Sequence, residues 1–246
     1  MKISIITITY NSSKTLQRAL DSVQSQTYGD IEHILVDGAS KDGTAEIIQA
    51  YAAEHTNVRW VSEKDEGIYN ALNKGIRMAT GDVIGFLHSD DVLNSSESIA
   101  HIAAAFEASQ ADVVYGDLQY FRGGKVVRQW ISNDFHPSSL KYGWMPPHPT
   151  VYVRKEVYEQ VGPYDEWFRI SADFDMMLRI FKAGYKAQYI PEVLVCMEVG
   201  GASNKDTKAR LTKTQEDCLV LRKNHVGAGL LTVACKQLRK VRQFLR

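Results

Sequence analysis

The sequence predicts an α/β fold with a mixed, mainly parallel central sheet and a helical C-terminal extension. Three patterns point there. Short β-branched runs alternate with helical-period segments through the first 90 residues, the mark of βαβ units and a parallel sheet. Two strand-like runs then flank Gly123-Gly124, an antiparallel hairpin signal that makes the sheet mixed. Beyond residue 202 helical spacing dominates.

Taken in order, residues 3–9 are a β-branched run, the turn Tyr10-Asn11-Ser12-Ser13 follows, and Leu16, Ala19, Leu20 and Val23 recur at helical spacing. Residues 31–36 predict a strand ending at Asp37, 44–53 a helix and 58–61 a third strand. Residues 68–79 place Ala71, Leu72, Gly75 and Ile76 on one helical face, and a strand at 83–87 runs straight into His88-Ser89-Asp90-Asp91. A helix over 95–108 precedes strands at 113–115 and 118–121, the glycine turn and a strand at 126–130. Residues 132–149 are rich in Pro, Trp, His and Tyr without periodicity; ordered loops of that kind carry function, and acceptor recognition is expected there. A helix over 174–183 stops at Gly184, and short strands are expected at 187–190 and 194–197.

Lys+Arg and Asp+Glu both number 29, so no overall field would draw nucleic acid. The balance is uneven, because residues 203–246 hold 11 basic and 3 acidic side chains, leaving 18 and 26 in the first 202. An acidic body suits a metal, and a basic tail suits an anionic surface. Cys196, Cys218 and Cys235 form no C-x-x-C pair, which fits neither a disulfide framework nor a zinc site and points to a reducing cytosol. No apolar signal segment opens the chain and no stretch approaches the roughly 18 apolar residues of a membrane span, so a cytoplasmic protein is expected. In the tail, Leu231, Ala234, Leu238, Val241 and Leu245 share one helical face while Lys236, Arg239, Lys240, Arg242 and Arg246 line the others. That pattern fits peripheral docking on the inner face of the cell membrane, or packing on protein with the basic residues solvated.

Ligands in open α/β sheets bind beyond the carboxyl ends of the strands, and Asn11, Asp37, Asp65 and the Asp90-Asp91 pair fall at or just after such ends. The first turn lacks the G-x-G-x-x-G that cradles a dinucleotide, so NAD is not expected. A nucleotide diphosphate would need its charge met otherwise, and Asp91 could anchor Mg2+ or Mn2+ against the phosphates. Adjacent carboxylates at a buried strand end repel unless a cation joins them, which favours a ligand role for Asp91 over a helix-dipole one. Asp37 and Asp42 sit in a turn where Asp commonly bonds its own backbone; function is expected for Asp37 and capping for Asp42.

Several blocks in order resemble glycosyltransferase family 2: Thr9-Tyr10-Asn11, residues 22–28 (SVQSQTY), residues 32–44 (EHILVDGASKDGT) and Ser89-Asp90-Asp91. Residues 63–75 (EKDEGIYNALNKG) and Gly200-Gly201-Ala202-Ser203 are similar to bacterial enzymes that build capsular, colanic-acid-like or lipopolysaccharide glycans. The resemblance implies a GT-A catalytic domain over residues 1–202, with a nucleotide-sugar-binding half (1–115) and an acceptor-binding half (116–202), followed by a basic helical extension (203–246).

It further implies that Thr9, Tyr10, Asn11, Asp37, Asp65 and Asn73 bind the nucleotide-sugar, that Asp90 lies near the ribose or sugar, and that Asp91 ligates a divalent Mn2+ or Mg2+. The family's acidic residue ahead of a helix matches Asp173, with Ala172 standing where relatives carry Glu. Asp173 is then the catalytic base, taking the acceptor hydroxyl's proton as that oxygen attacks the anomeric carbon opposite the departing diphosphate, with inversion. Trp144 and His148 are the acceptor-side candidates, and Asp175, Arg179 and Glu192 are expected to be structural. The implied function is sugar transfer from a nucleotide-diphospho-sugar, UDP by family frequency, onto a glycan or lipid-linked acceptor in cell-surface polysaccharide biosynthesis. A catalytically inactive nucleotide- or carbohydrate-binding module stays open, as does a sugar nucleotidyltransferase, although the latter would want a Gly-rich, Arg-containing loop after the first strand that this chain lacks.

Overall fold

The computed structural model describes residues 1–199, 207–241 and 243. The elements run β1 (Ile3–Thr9), α1 (Leu16–Gln24), β2 (Ile31–Asp37), α2 (Thr44–Glu54), β3 (Val58–Ser62), α3 (Ile68–Met78), β4 (Val83–Phe86), β5 (Asp91–Leu93) and α4 (Ser98–Ser109). They continue with β6 (Val113–Arg122), β7 (Lys125–Trp130), β8 (Tyr152–Arg154), α5 (Lys155–Val161), α6 (Ala172–Lys182), β9 (Ala187–Glu198), α7 (Thr207–Lys223) and α8 (Leu230–Val241).

The sheet order is β3-β2-β1-β4-β8-β6-β9-β5, with β7 paired off β6. β1 to β4 are mutually parallel and β9 is parallel to β6, while β5, β7 and β8 run antiparallel to their neighbours. The expected mixed sheet, parallel through β1 to β4, is therefore present. Gly123 and Gly124 turn the β6–β7 hairpin with φ of 57° and 77°, backbone values that side chains with a Cβ resist.

Both faces of the sheet are covered, so β1 and β2 are buried along almost their whole length, including the polar Ser4, Thr7, Glu32 and His33. Ile5 of β1 packs with Ala19, Val23, Ile102 and Phe106 from α1 and α4. Its neighbour Ile6 points the other way, into a cluster with Leu72 of α3, Val157 of α5 and Phe174 of α6. Val220, Leu221, Val226 and Val233 join that second cluster, so α7 and α8 share the core of the body.

Four expectations change. β9 is one strand through Pro191, where two short strands were expected, and it shifts register against β6 near Asp117. α6 starts at Ala172, so Asp173 lies in its first turn and not ahead of it. The aromatic-rich segment 132–149 divides in two: residues 143–149 pack inward, while most of 133–142 is at the surface. Trp144 is only 4% exposed, donates its indole N–H to Ser132 O at 3.0 Å and packs edge-on against Tyr115 and Phe181, so it is a core residue and not an acceptor contact.

The fourth change is the rotation of α8. Lys236 is 7% exposed, whereas Leu231 and Leu238 are 67% and 69% exposed. Helical periodicity placed the leucines and the lysine on opposite faces correctly, but which face turns inward is decided by a partner. Asp217 on α7 binds Lys236 Nζ at 3.0 Å, and the Phe174 ring receives the same ammonium at 3.3 Å from its centroid. Arg242, Leu245, Arg246, the Val241 side chain and the block 200–203 lie outside the described residues.

Candidate active site

The carboxyl ends of β1, β2 and β3 are knotted together by Asp37. It is fully buried and accepts from Thr9 Oγ1 at 3.2 Å, from the Ser40 backbone N–H at 3.0 Å, from Ser40 Oγ, and from Ser62 Oγ at 2.6 Å. A carboxylate with four donors is satisfied without any ligand, so Asp37 shapes the pocket by holding three strand ends in register. The Asn11 backbone N–H donates to Ser40 Oγ at 2.8 Å, and its side-chain oxygen accepts from the Lys41 N–H at 3.0 Å. Asn11 and Ala39 both adopt positive φ, 50° and 59°, so the two loops meet in a strained, cross-braced arrangement. Asp42 accepts from the N–H of Thr44, the first residue of α2, and from the Ser13 N–H.

Beside this knot Asp65 and Tyr10 close on Gly38: a Cβ placed there would sit 3.0 Å from Asp65 Oδ2 and 3.2 Å from Tyr10 Cδ2, tighter than ordinary contact, so only glycine lets the exposed Tyr10 ring and the Asp65 carboxylate approach the backbone this closely. Lys74 holds Asp65 at 2.6 Å.

From β4 the chain enters a tight turn in which the Asp91 N–H donates to His88 O at 3.0 Å, and Ser89 Oγ ties the turn to Ser12 Oγ at 2.9 Å. Asp91 opens β5 opposite Met197 of β9. Its carboxyl group is fully buried, and neither oxygen has a hydrogen-bond partner. Burial, reinforced by the Asp90 charge, pushes that carboxyl well above the usual carboxylate range. Buried polar atoms are nearly always paired, so an orphaned carboxylate on this sheet edge fits a missing cation better than a structural role. Among the described residues no three His, Cys, Asp or Glu side chains gather as a complete metal shell. One carboxylate plus ligand phosphates is how Mg2+ and Mn2+ are usually held, and Asp91 fits that arrangement.

Asp173 approaches from the other side. Glu216 of α7 accepts the backbone N–H groups of Arg169, Ile170 and Ser171 at 2.9–3.0 Å, and Asp217 accepts from Ser171 Oγ at 2.8 Å. Those contacts fix the entry of α6 and thereby the place of Asp173, whose Oδ1 accepts the Phe174 N–H. His88 and His148 both feel the Asp173 charge, and Tyr120 feels Asp91 and Asp173, so both carboxylates lie within electrostatic reach of the space around these rings.

The floor of that space is a stack of Phe86, His148 and His88, with centroid separations of 5.1 and 6.0 Å. Burial lowers His148 to about 4 and pushes His88 down against the pull of Asp90 and Asp173, so both rings are neutral at physiological pH. His148 shares a 2.7 Å hydrogen bond with Tyr164 Oη and is buried; it lines the floor and is not an exposed acceptor contact. Asn73 also differs from its expected place. Its amide is spent on Tyr164 O, the Tyr164 N–H and Glu166, so it braces residues 164–166 and offers no free group to a nucleotide. Asp175, bound by Arg179, Lys223 and Asn224, is a buried brace.

Glu216, Asp217 and Tyr120 had no sequence signal, because each meets the site only through long-range packing. His88 had one: it directly precedes Ser89-Asp90-Asp91.

The model for glycosyl transferase family 2 matches residues 4–171. A PGL/p-HBAD biosynthesis glycosyltransferase from Mycobacterium bovis is 33% identical over 210 residues, covering 82% of this chain and 78% of that protein. Among solved structures, residues 1–349 of Staphylococcus aureus TarS in complex with UDP-GlcNAc superpose with a TM-score of 0.75 at 19% identity over 90% of this chain. A mannosyltransferase from Pyrobaculum calidifontis in complex with GDP-Man and Mn2+ gives 0.70 at 19% identity over 96% of this chain. The chain spans 66% of that TarS fragment, 39% of a longer TarS chain and 69% of the mannosyltransferase.

Proposed function

We propose that this chain, which belongs to glycosyl transferase family 2 and is a glycosyltransferase, moves a sugar from a nucleotide-diphosphate donor, a UDP-sugar in our reading, to an acceptor hydroxyl with inversion. The observation that carries the reading is the buried Asp91 carboxylate at the end of the β4 turn, neither oxygen of which has a hydrogen-bond partner. The nucleobase lies against the exposed Tyr10 ring, near Asp65, at the loops braced by Thr9, Asn11 and Asp37. Asp90, half buried in the same turn as Asp91, faces the ribose or sugar.

Asp91 would hold Mn2+ or Mg2+, which supplies positive charge to the diphosphate as it leaves. Asp173 accepts the acceptor hydroxyl's proton while the new bond to the anomeric carbon forms and the bond to the diphosphate oxygen breaks. The proton ends on the Asp173 carboxylate. Positioning of this kind of base is worth roughly 10²–10⁴ in rate. The neutral His88 and His148 rings line the floor without adding a competing charge.

Thermal-shift assays with UDP, GDP, CDP and TDP, each with and without Mn2+, test the donor site, because a ligand bound only by the folded state raises its melting temperature. A Mn2+-dependent shift with UDP is expected. Equal shifts with all four bases, or none with any, would contradict the UDP assignment.

Peripheral contact with an anionic membrane is part of the same proposal. No described helix is long and apolar enough to cross a membrane. The outward face of α8 nevertheless presents Leu230, Leu231 and Leu238, beside exposed Arg222 and Arg239. Substitution is the right probe, since deleting α8 would remove the buried Thr232, Val233 and Lys236. Leu231→Ser with Leu238→Ser is expected to abolish cosedimentation with phosphatidylglycerol vesicles without lowering the melting temperature. Undiminished cosedimentation of the double variant would refute docking through this face.

A further inference from the structure

The first turn of α6, which carries Asp173, is capped from another part of the chain. α6 is buried along most of its length, so water cannot meet the backbone donors at its start. Ser171 stands at the N-cap, the usual place for a hydroxyl that bonds a backbone N–H two or three residues on, yet it makes no such bond. Its Oγ turns instead to Asp217 on α7, donating at 2.8 Å.

The cap comes from the residue before Asp217. Glu216 is 6% exposed, and its carboxylate accepts three consecutive backbone N–H groups: Arg169 at 3.0 Å on Oε1, and Ile170 and Ser171 at 2.9 Å each on Oε2. Successive N–H groups at the start of a helix make an anion site, strengthened by the positive end of the helix dipole. Here the chain fills that place with its own carboxylate, from a segment 45 to 47 residues away. Asp217 is in turn held by Lys236 at 3.0 Å, so α7 and α8 together back the arrangement.

We propose that Glu216 is a positioning residue for sugar transfer: by holding the 169–171 backbone it sets the start of α6 and with it the Asp173 carboxylate that takes the acceptor's proton. The inference rests on the reading of Asp173 as the base. Asp173 comes two residues after the last clamped N–H, and its Oδ1 accepts the next N–H in the chain, that of Phe174, at 2.7 Å. The orientation of its carboxylate therefore follows the backbone of the first turn, and a shift of that turn shifts the base. Displacing a reacting group by 1 Å costs about 10²-fold in rate.

Turnover of UDP-glucose and UDP-N-acetylglucosamine with Mn2+ tests this in the full chain, with water standing in for the acceptor hydroxyl and UDP release followed. Glu216→Gln keeps the size of the side chain but offers an NH2 group where two backbone donors need an acceptor. Its rate is expected to fall about tenfold while KM for the donor and the UDP·Mn2+ thermal shift stay as in wild type. Added to Asp173→Asn, it is expected to cost nothing further, because a residue that acts through the base then has nothing left to position. Glu216→Ala is expected to lose about 10²-fold and to regain part of its rate with added formate, whose carboxylate can occupy the vacated site. Glu216→Asp, which keeps the charge one methylene short of the N–H groups, is the second variant should Glu216→Gln fail to fold, with the same split between rate and KM.

Full rate in folded Glu216 variants would overturn the positioning role. So would a rise in KM or a loss of the thermal shift in step with the rate, which would make Glu216 a brace of the whole body. A further tenfold loss on the Asp173→Asn background would overturn it too, by placing its action elsewhere. Failure of the base reading looks different: Asp173→Asn as fast as wild type would remove Asp173 as the base and the positioning role with it, whereas a slow Asp173→Asn beside a fast Glu216→Gln would remove the positioning role alone.

Discussion

Asp91→Asn is expected to lower the transfer rate by at least about 10²-fold, the cost of losing charge stabilisation at the leaving group, and at the same time to raise the melting temperature of the metal-free protein. The two effects have one cause. The folded protein surrounds a carboxyl group that no donor satisfies, and burial raises its proton affinity far above that of the unfolded chain. A carboxyl whose folded pKa is raised contributes fully below its unfolded value near 3.8 and loses that contribution as pH climbs through the folded value. At neutral pH the wild type bears this loss and the amide does not.

The advantage of Asn should therefore grow from about pH 4 upward, reaching a few degrees for a chain of this size. Mn2+ with UDP should reverse the order by stabilising only the wild type, and wild-type metal affinity should rise with pH as the proton is displaced. Melting curves over a pH series, with and without Mn2+ and UDP, report all of this. A variant that melts lower than wild type without metal would show that Asp91 has a partner in solution and no vacant coordination role.

Asp173→Asn is expected to lower kcat by roughly 10²–10⁴ while the UDP·Mn2+ thermal shift stays as in wild type. The amide keeps the shape and the hydrogen bond to the Phe174 N–H but cannot take the acceptor proton. Single-turnover kinetics on the two variants separate the roles: Asp91→Asn loses donor binding and chemistry together, whereas Asp173→Asn loses chemistry alone. Full activity in Asp173→Asn would remove it as the base. The search would then move to the other titratable groups of the space around His88 and His148, Asp90 foremost.

Both predictions began at the sequence, but unequally. Asp91 was legible because a strand of four apolar residues ends in a polar turn, and ligand sites in parallel sheets gather at such ends. Asp173 was legible only through family resemblance, since an acidic residue in a first helical turn is ordinary dipole compensation. Trp144 and His148 were expected on the acceptor side and are buried, for a shared reason. An aperiodic, aromatic-rich segment reads the same whether it forms a surface loop or a strap under the sheet, and only the packing of Tyr115, Phe181 and Phe86 around those two rings distinguishes the cases. Asn73 looked free because its partners at 164–166 lie some ninety residues away.

What the sequence determined by itself is local: the β-branched runs, the helical faces, the hairpin glycines and the row of polar residues at the strand ends, all set by steric preference and periodicity within a few residues. What the tertiary structure alone decided is which polar groups are satisfied. Asp37 is saturated and Asp91 has nothing. Glu216 clamps a backbone 45 residues away, and Lys236 turns inward where its helical period would equally have turned it out. The worth of a charge depends on its burial and its partners, and both are supplied by chain segments that meet only when the protein has folded.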